Sequence, residues 1–304
     1  MENHPNPLCF FIFGFGYTAE FLARELSQLN FKVVGTTRDK HKILNSTQKD
    51  FKLIDFDGDE IALYLSKATH LLVSIPPSER GDPVLSRFSD LMIENKVNIQ
   101  WLGYLSSTGV YGDHHGAWVT EESDSRAAGA QAKLRLVAEN NWMVFARTQG
   151  IPLHIFRLAG IYGPYRNAIE RIIGGKKVSI YKEGQVFSRI HVADIAAVIC
   201  ASIKKPRPYS IYNVADDEPA PAHIVDAYAA SLLNQEPLPL ISYETATLSA
   251  MEQQFYASNR RVSNAKIKEE LNINLLYPSY REGLTQLFKD SYQGKNSDLR
   301  TGDE

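Results

Sequence analysis

Two glycines and an alanine follow the first apolar run of the chain at a spacing suited to phosphate binding. The run from Leu8 to Phe13 is unbroken, as in a parallel strand that is buried on both faces. Gly14, Gly16 and Ala19 then form a G-x-G-x-x-A turn at the start of a segment whose apolar residues have helical spacing. Such glycines let the backbone approach a pyrophosphate, whose charge is stabilised by the unpaired N–H groups of the helix N-terminus. The pattern predicts a dinucleotide site.

A second apolar run, Phe31 to Gly35, follows the helical segment, completes a βαβ unit and ends in Thr36-Thr37-Arg38, where one dinucleotide is distinguished from another. An NAD site normally has an acidic residue there, which binds the ribose 2′-hydroxyl. This chain has the uncharged Thr37 at that position, followed by the guanidinium of Arg38. A guanidinium suits a 2′-phosphate, so the sequence favours NADP(H) over NAD(H). A solvated arginine in a polar loop is the alternative.

The elements that must position these residues alternate along the first half of the chain. Such alternation predicts an α/β, Rossmann-type, doubly wound parallel sheet with a smaller C-terminal substrate lobe. The expected strands are Leu8–Phe13, Lys32–Thr36, Phe51–Ile54, His70–Ile75, Gln100–Leu105 and Leu153–Arg157. The expected helices between them are 17–29, 40–47, 58–67, 83–95 and 126–149.

The second half of the chain is expected to divide between the sheet and the lobe. We assign residues 1–158 to the dinucleotide domain, to which 186–214 return, and 159–185 and 215–290 to the smaller lobe. Residues 291–304 are a polar tail that is expected to be disordered.

Composition limits the classes of partner. Among 304 residues the net charge is −2, which gives no electrostatic reason to expect nucleic acid or an anionic membrane. The two cysteines, Cys9 and Cys200, lie in apolar runs and predict core residues in a reducing compartment. Without an evident signal peptide or a long apolar span, we expect a cytoplasmic protein with a small-molecule substrate. The sequence is also compatible with a homodimer.

Five segments resemble the extended short-chain dehydrogenase/reductase superfamily, which includes nucleotide-sugar epimerases and dehydratases. The resemblance covers nearly the whole chain. The segments are YLSSTGVYGD (104–113), IPLHIFRLAGIYGP (151–164), FSRIHVADIAAVI (187–199), IYNVADDEP (211–219) and SNRRVSNAKIKEEL (258–271).

The resemblance implies catalytic positions, and this chain departs from several of them. The family serine or threonine that bonds the reacting oxygen corresponds to Ser107, although this serine could instead bond local backbone. Glu139 fixes a register that places Gln131 and Arg135 where the family has the tyrosine and lysine of Y-x-x-x-K. Glutamine has no titratable proton, so the family's general acid is missing. Thr108-Gly109 stands where dehydratases have Asp-Glu, so dehydration of a sugar is not expected.

Other groups could replace the missing tyrosine. The candidates are Tyr111, His114, His115 and Tyr162. Tyr111 could equally be a packed, hydrogen-bonded core residue, and the histidines could lie in a solvated loop. No further ligands stand at metal spacing, so no metal site is expected.

The resemblance also completes the expected binding residues. Asp57 is placed to meet the adenine amino group or, equally, to close a loop turn. The expected cofactor-binding residues are Gly14, Phe15, Gly16, Tyr17, Thr18, Thr37, Arg38, Asp57, Ser74, Ile75, Pro76 and Ser106. Tyr162 and Arg189 are expected to meet a substrate that could be nucleotide-linked, although a salt-bridged arginine is a similar alternative. His191 and Asp194 open a helix and are expected to serve in capping and structural hydrogen bonding.

Two functions remain open on the sequence alone. One is an NADP-dependent oxidoreductase or epimerase with an unusual proton donor, which the intact STGVYG segment and the lobe favour. The other is a non-catalytic NADP(H)-binding sensor or regulator, which the loss of the tyrosine favours. Of the two, the sequence favours the enzyme.

Overall fold

The computed structural model describes residues 8–46 and 51–293. The first seven residues, on which the expectation about a signal peptide depends, lie outside this description. So do residue 47, the last of the helix expected at 40–47, and the expected tail beyond residue 293.

The described chain alternates strands and helices and then becomes mainly helical. The strands are β1 (Cys9–Phe13), β2 (Lys32–Thr37), β3 (Phe51–Asp55), β4 (His70–Val73), β5 (Trp101–Ser107), β6 (Trp118–Val119), β7 (Leu153–Leu158), β8 (Gly160–Tyr162), β9 (Ser179–Tyr181), β10 (Arg189–His191), β11 (Ser210–Val214), β12 (Leu240–Ser242) and β13 (Arg261–Val262). The helices are α1 (Tyr17–Gln28), α2 (Lys40–Asn45), α3 (Glu60–Leu65), α4 (Pro83–Glu94), α5 (Ala130–Gln149), α6 (Ala168–Ile173), α7 (Val192–Lys204), α8 (Ala222–Leu232), α9 (Ala250–Tyr256), α10 (Ala265–Leu271) and α11 (Tyr280–Phe288).

Seven strands form one parallel sheet in the order β11-β7-β5-β4-β1-β2-β3. The α/β, Rossmann-type fold class expected from the sequence is thereby confirmed. Every residue of β1 and β4 is buried, because helices cover both faces of the sheet. The strand order reverses between β1 and β4, and ligands of open α/β sheets bind at such a point, beyond the carboxyl ends of the strands.

Two apolar cores lie against the faces of the sheet and a third lies in the lobe. One core includes residues of α1 and α7, and the other includes residues of α4 and α5. The lobe core joins α6, α8 and α11 around residues such as Ile169, Ala229 and Leu284. The last strand of the main sheet in chain order, β11, lies at its edge and pairs with β7.

Several element boundaries differ from those expected. Helix α5 begins at Ala130 instead of 126, because the preceding backbone pairs elsewhere: the Arg126 N–H donates to the Tyr111 carbonyl at 3.0 Å. Strand β4 ends at Val73, three residues before Pro76, which lacks a backbone donor. Strand β5 continues to Ser107, because β7 provides a hydrogen-bonding partner up to that residue.

Candidate functional site

The glycine turn between β1 and α1 is held tightly against the end of β4. Gly14 has a φ of +89°, which favours glycine, and its N–H donates to Thr36 Oγ1 at 2.9 Å. A Cβ on Gly14 would stand 2.6 Å from Ile75 Cγ1 and 3.2 Å from the Ile75 nitrogen. Gly14 therefore permits both the turn and the close approach of the segment that follows β4.

Gly16, unlike Gly14, has no protein atom close to the position that a Cβ would occupy. It is the N-cap of α1, where no side chain caps the helix, and a Cβ built on it would meet no atom within 4 Å. The first turn of α1, from Tyr17, therefore begins beside open space, with Thr18 and Ala19 buried behind it. Open space next to an uncapped helix N-terminus fits the pyrophosphate of a dinucleotide.

Two arginines share one carboxylate beyond the ends of β2 and β3. Arg38 Nε lies 3.3 Å from Asp57 Oδ2, and Arg87 of α4 donates to Asp57 Oδ1. Both guanidinium groups lie over the Phe56 ring, at 5.0 and 5.5 Å from its centroid. The cluster carries one net positive charge and is substantially exposed. Two donor forks at this edge can bind a phosphate. Sequence spacing did not indicate Arg87, because 30 residues separate it from Asp57.

Three other residues that were expected to bind the cofactor already have partners within the protein. Asp57 is engaged with the two arginines, so the adenine contact expected of it would compete with them. Thr37 Oγ1 accepts from the Asp39 N–H at 3.1 Å. Phe15 is buried and packs on Phe51, 4.5 Å between ring centroids. Its backbone N–H donates to the Thr36 carbonyl at 2.8 Å, so Phe15 supports the turn.

Ser107 ends β5 at the carboxyl edge of the sheet. Its Oγ accepts from the Gly109 N–H at 3.0 Å and thereby caps a short 3₁₀ turn, Thr108–Tyr111. This is the local backbone bond that the sequence left as an alternative. Because the oxygen acts here as acceptor, the hydroxyl hydrogen stays available for another oxygen.

The positions of the family's tyrosine and lysine contain no proton-transfer pair. Gln131 is exposed in the first turn of α5. Arg135, one turn later, is half-buried and donates to the Leu105 carbonyl at 2.6 Å. This positive charge is therefore bound to the backbone of β5 two residues before Ser107.

A buried ionic network behind β5 corrects the expectation for Ser106. Ser106 is 4% exposed and donates to Glu139, so its side chain does not reach the cofactor edge. Glu139 also accepts from Arg157 Nη2 at 2.7 Å and from Arg157 Nε at 3.2 Å. Arg157 and Glu139 therefore form a buried salt bridge between β7 and α5.

Tyr111 belongs to the same region and is not placed as a proton donor. Its ring is fully buried beneath the Arg157 guanidinium, 4.8 Å from the ring centroid. Its hydroxyl donates to Asn213 Oδ1 at 2.7 Å. Burial raises the pKa of Tyr111 above its usual value, opposed by the charge of Arg157. The packed alternative is the one the structure shows.

The expected substrate residues lie on two short paired strands, Tyr162 on β8 and Arg189 on β10. Tyr162 is buried and donates to the Ser279 carbonyl at 3.2 Å. Arg189 Nη1 donates to the carbonyls of Phe187 and Ala220, at 2.8 and 2.9 Å. The neighbouring Asp216 is 1% exposed, and burial raises its pKa to about 8 against the opposing charge of Arg189. Arg189, which is half-buried, therefore lies beside a buried carboxylate that sequence spacing did not indicate.

The two residues that open α7 have the structural roles expected of them. His191 is the N-cap, and its Nδ1 accepts from the Ala193 N–H at 3.2 Å. Asp194 accepts from the backbone of Leu276 and Tyr277, at 2.6 and 3.1 Å. Burial lowers the pKa of His191 to about 4 and raises that of Asp194 to about 6.

The adjacent histidines lie in a loop and bond to neighbouring atoms. His114 Nε2 lies 3.1 Å from the Asp124 carbonyl oxygen, and His115 Nδ1 lies 3.1 Å from Asp113 Oδ2. Asp113 and His115 form one side of a cleft of about 370 Å³, whose other side includes Lys182 and Tyr256. These bonds correspond to the solvated-loop alternative.

Comparisons with known proteins agree with this geometry. The family model described as "NAD dependent epimerase/dehydratase family" matches residues 90–215. A functionally unknown conserved protein from Silicibacter pomeroyi DSS is 42% identical over 93% of this chain and 98% of its own, with a TM-score of 0.88. No curated protein matches the chain.

More distant solved structures share the fold. A dTDP-glucose 4,6-dehydratase from Bacillus anthracis str. Ames, in complex with NAD, is 16% identical over 94% of this chain and 98% of its own, with a TM-score of 0.72. A UDP-glucuronic acid 4-epimerase from Bacillus cereus, in complex with UDP-glucuronic acid and NAD, is 16% identical over 94% and 100%, with a TM-score of 0.74. None of the helices in 8–46 and 51–293 has the length and apolarity that a membrane span requires. The family model therefore assigns residues 90–215 to the NAD-dependent epimerase/dehydratase family, and the chain as a whole has the fold of the solved dehydratase and epimerase.

Proposed function

We propose that this chain is a cytoplasmic NADP(H)-dependent oxidoreductase or epimerase that acts on a small or nucleotide-linked carbonyl or alcohol. The observation that carries the proposal is the pairing of an open glycine turn with the Arg38–Asp57–Arg87 cluster at the ends of β2 and β3. The turn suits a pyrophosphate, and the cluster offers a ribose 2′-phosphate two guanidinium groups.

Ser107 is the residue that we propose to orient the reacting oxygen. Its Oγ already accepts the Gly109 N–H, so its own hydrogen can be donated to a substrate oxygen. Nicotinamide, when bound, supplies or accepts the hydride. The accompanying proton has no donor at Gln131, and Tyr111 is bonded to Asn213, so we infer that it is exchanged with water or a substrate group.

Arg189 supports the nucleotide-linked class of substrate. It is cationic, lies on β10, and uses Nη1 for two backbone carbonyls. Its remaining donors suit an anionic group such as a diphosphate. The Bacillus cereus epimerase was crystallised with such a nucleotide sugar.

We expect the chain to bind NADPH about tenfold to a hundredfold more tightly than NADH, because a charged contact to the 2′-phosphate contributes roughly 1.5–3 kcal/mol. Arg38→Ala should remove most of that preference and leave NADH affinity nearly unchanged. Titration of cofactor fluorescence measures both constants. Arg24→Ala is the matched control, because Arg24 is an exposed arginine on α1 whose guanidinium lies 3.4 Å from Glu20. Equal affinities for the two cofactors in the wild-type chain would contradict the NADP assignment.

Turnover tests the catalytic half of the proposal. General acid catalysis is typically worth about a hundredfold to ten-thousandfold, so a reaction without the family tyrosine should be slow. We expect no measurable epimerisation of common nucleotide sugars, and slow NADPH oxidation with a suitable small carbonyl compound. Ser107→Ala should abolish that oxidation and leave NADPH affinity nearly unchanged. Rapid turnover of a standard nucleotide sugar would show that an efficient proton donor exists.

The alternative is a non-catalytic NADP(H)-binding sensor. The exposed Gln131 and the buried, bonded Tyr111 favour it, because neither can act as the missing acid. Firm NADPH binding without oxidation across a panel of aldehydes, ketones and nucleotide sugars would support the sensor over the enzyme.

A further inference from the structure

A tight turn after β8 lies against the first residue of α1. The Tyr17 hydroxyl donates to the Pro164 carbonyl at 3.0 Å. A Cβ on Gly163 would stand 2.5 Å from that hydroxyl and 2.7 Å from Val192 Cγ1. Gly163 and Arg166 close the turn with reciprocal backbone hydrogen bonds of 3.0 and 3.1 Å. The turn is therefore fixed to the same end of α1 that begins beside the open space at Gly16.

The side chain of His191 lies close to Gly163 of this turn. His191 Nδ1 accepts from the Ala193 N–H, so in the neutral ring the hydrogen is on Nε2. His191 is 4% exposed, and Nε2 has no hydrogen-bond partner among the described residues. This nitrogen would lie 3.5 Å from a Cβ on Gly163. A buried, unused donor therefore faces the turn.

Arg166, the last residue of the turn, places a positive charge beside Tyr17, the first residue of α1. The Arg166 guanidinium lies over the Tyr17 ring, 5.8 Å from its centroid, and its side chain is exposed. Within residues 8–46 and 51–293, no carboxylate lies within ion-pair distance of it. Arg166 therefore presents an uncompensated cation beside the helix N-terminus.

The backbone of the turn is strained for its sequence. Pro164 and Tyr165 occupy its central positions, and Tyr165 has a φ of +62°, which the second central position of a type II turn requires and glycine normally provides. The Tyr165 ring is 88% exposed, so no core packing compensates this conformation. Strained backbone conformations cluster at active sites and ligand-binding turns.

We propose that residues 163–166 form a clamp on the diphosphate of the bound dinucleotide, with Arg166 as its counter-charge and Tyr17 as the residue that positions the turn. The proposal rests on the dinucleotide binding proposed above and adds the residues that close over it. The helix N-terminus would bind the diphosphate from one side and the Arg166 guanidinium from another. A guanidinium is suited to this role because it can donate two parallel hydrogen bonds to phosphate oxygens.

The test compares ligands that share the diphosphate but differ elsewhere. We expect Arg166→Gln to weaken NADPH, NADH and ADP-ribose alike, by about tenfold each, since all three contain the same diphosphate. Arg38→Ala, by contrast, should affect NADPH alone. Isothermal titration calorimetry on the full chain gives each dissociation constant, and Arg24→Gln serves as the matched arginine control. The Arg166 side chain is exposed, so its replacement should leave the melting temperature unchanged.

A second variant tests the positioning role. Tyr17→Phe removes only the hydroxyl that bonds Pro164, so it should weaken the same three ligands less than Arg166→Gln does. In the double variant the two losses should not add, because the effect of Tyr17 acts through the turn. Additive losses would contradict the positioning role.

The outcomes separate the clamp from the dinucleotide site itself. If the wild-type chain binds none of the three ligands, the proposed function fails. If it binds them and Arg166→Gln binds all three as tightly, the clamp alone is overturned. A loss confined to NADPH would assign Arg166 to the 2′-phosphate and would also overturn the clamp.

Discussion

Gly16→Val should weaken NADPH binding at least about a hundredfold and leave the fold intact. A Cβ at residue 16 meets no protein atom within 4 Å, so the isopropyl group would occupy the space beside the N-terminus of α1. A pyrophosphate at that N-terminus would need the same space, and a hundredfold loss corresponds to about 2.7 kcal/mol. Cofactor fluorescence measures the binding, and the thermal midpoint reports the fold.

Gly14→Val provides the contrast two residues away. The φ of +89° at Gly14 disfavours any residue with a Cβ, and the added group would overlap Ile75. Backbone strain and overpacking of this kind each cost roughly 1–3 kcal/mol, so this variant should lose stability. Gly129→Val is the stability control, because Gly129 is also a helix N-cap whose Cβ would meet no atom within 4 Å. If Gly16→Val binds NADPH normally, the pyrophosphate does not lie at this turn.

The fold was predictable because local signals agree with its long-range organisation. The fully buried β1 appears in the sequence as an unbroken apolar run, and α1 appears as apolar residues at helical spacing. Boundaries were less predictable where a distant partner decides them. Strand β5 reaches Ser107 because Leu158 of β7 pairs with it, a contact 51 positions away that no local pattern contains.

The candidate site was predictable only where backbone geometry determines the residue type. Gly14 was identified because its positive φ and close approach leave few alternatives to glycine. Arg87 was missed, although it shares Asp57 with Arg38, because an arginine inside an amphipathic helix has no distinguishing sequence context. Ser106 was misassigned because a serine at the end of a strand can face either side of the sheet, and the buried Glu139 attracts it to α5.

The network of Ser106, Glu139 and Arg157 leads to the second large effect, which concerns stability. Glu139→Ala should lower the free energy of unfolding by about 3–5 kcal/mol, because it leaves the charge of Arg157 buried and unpaired. Arg157 is 4% exposed and Glu139 is 2% exposed, so water cannot readily replace the lost partner. Urea denaturation measures the change. Glu60→Ala is the matched control, since the exposed pair of Glu60 with Lys52, 2.8 Å apart, should contribute about 1 kcal/mol or less.

The double variant Glu139→Met/Arg157→Met distinguishes the charge from the packing. When both charges are replaced by apolar groups of similar length, no ion remains unpaired, so much of the lost stability should return. Some loss should persist, because the Ser106 hydroxyl would then be buried without its acceptor. A double variant as unstable as Glu139→Ala would mean that the shape of the pair, and not its charge balance, holds α5 against β5. In that case the position of Ser107, next in the strand to Ser106, would depend on the same packing.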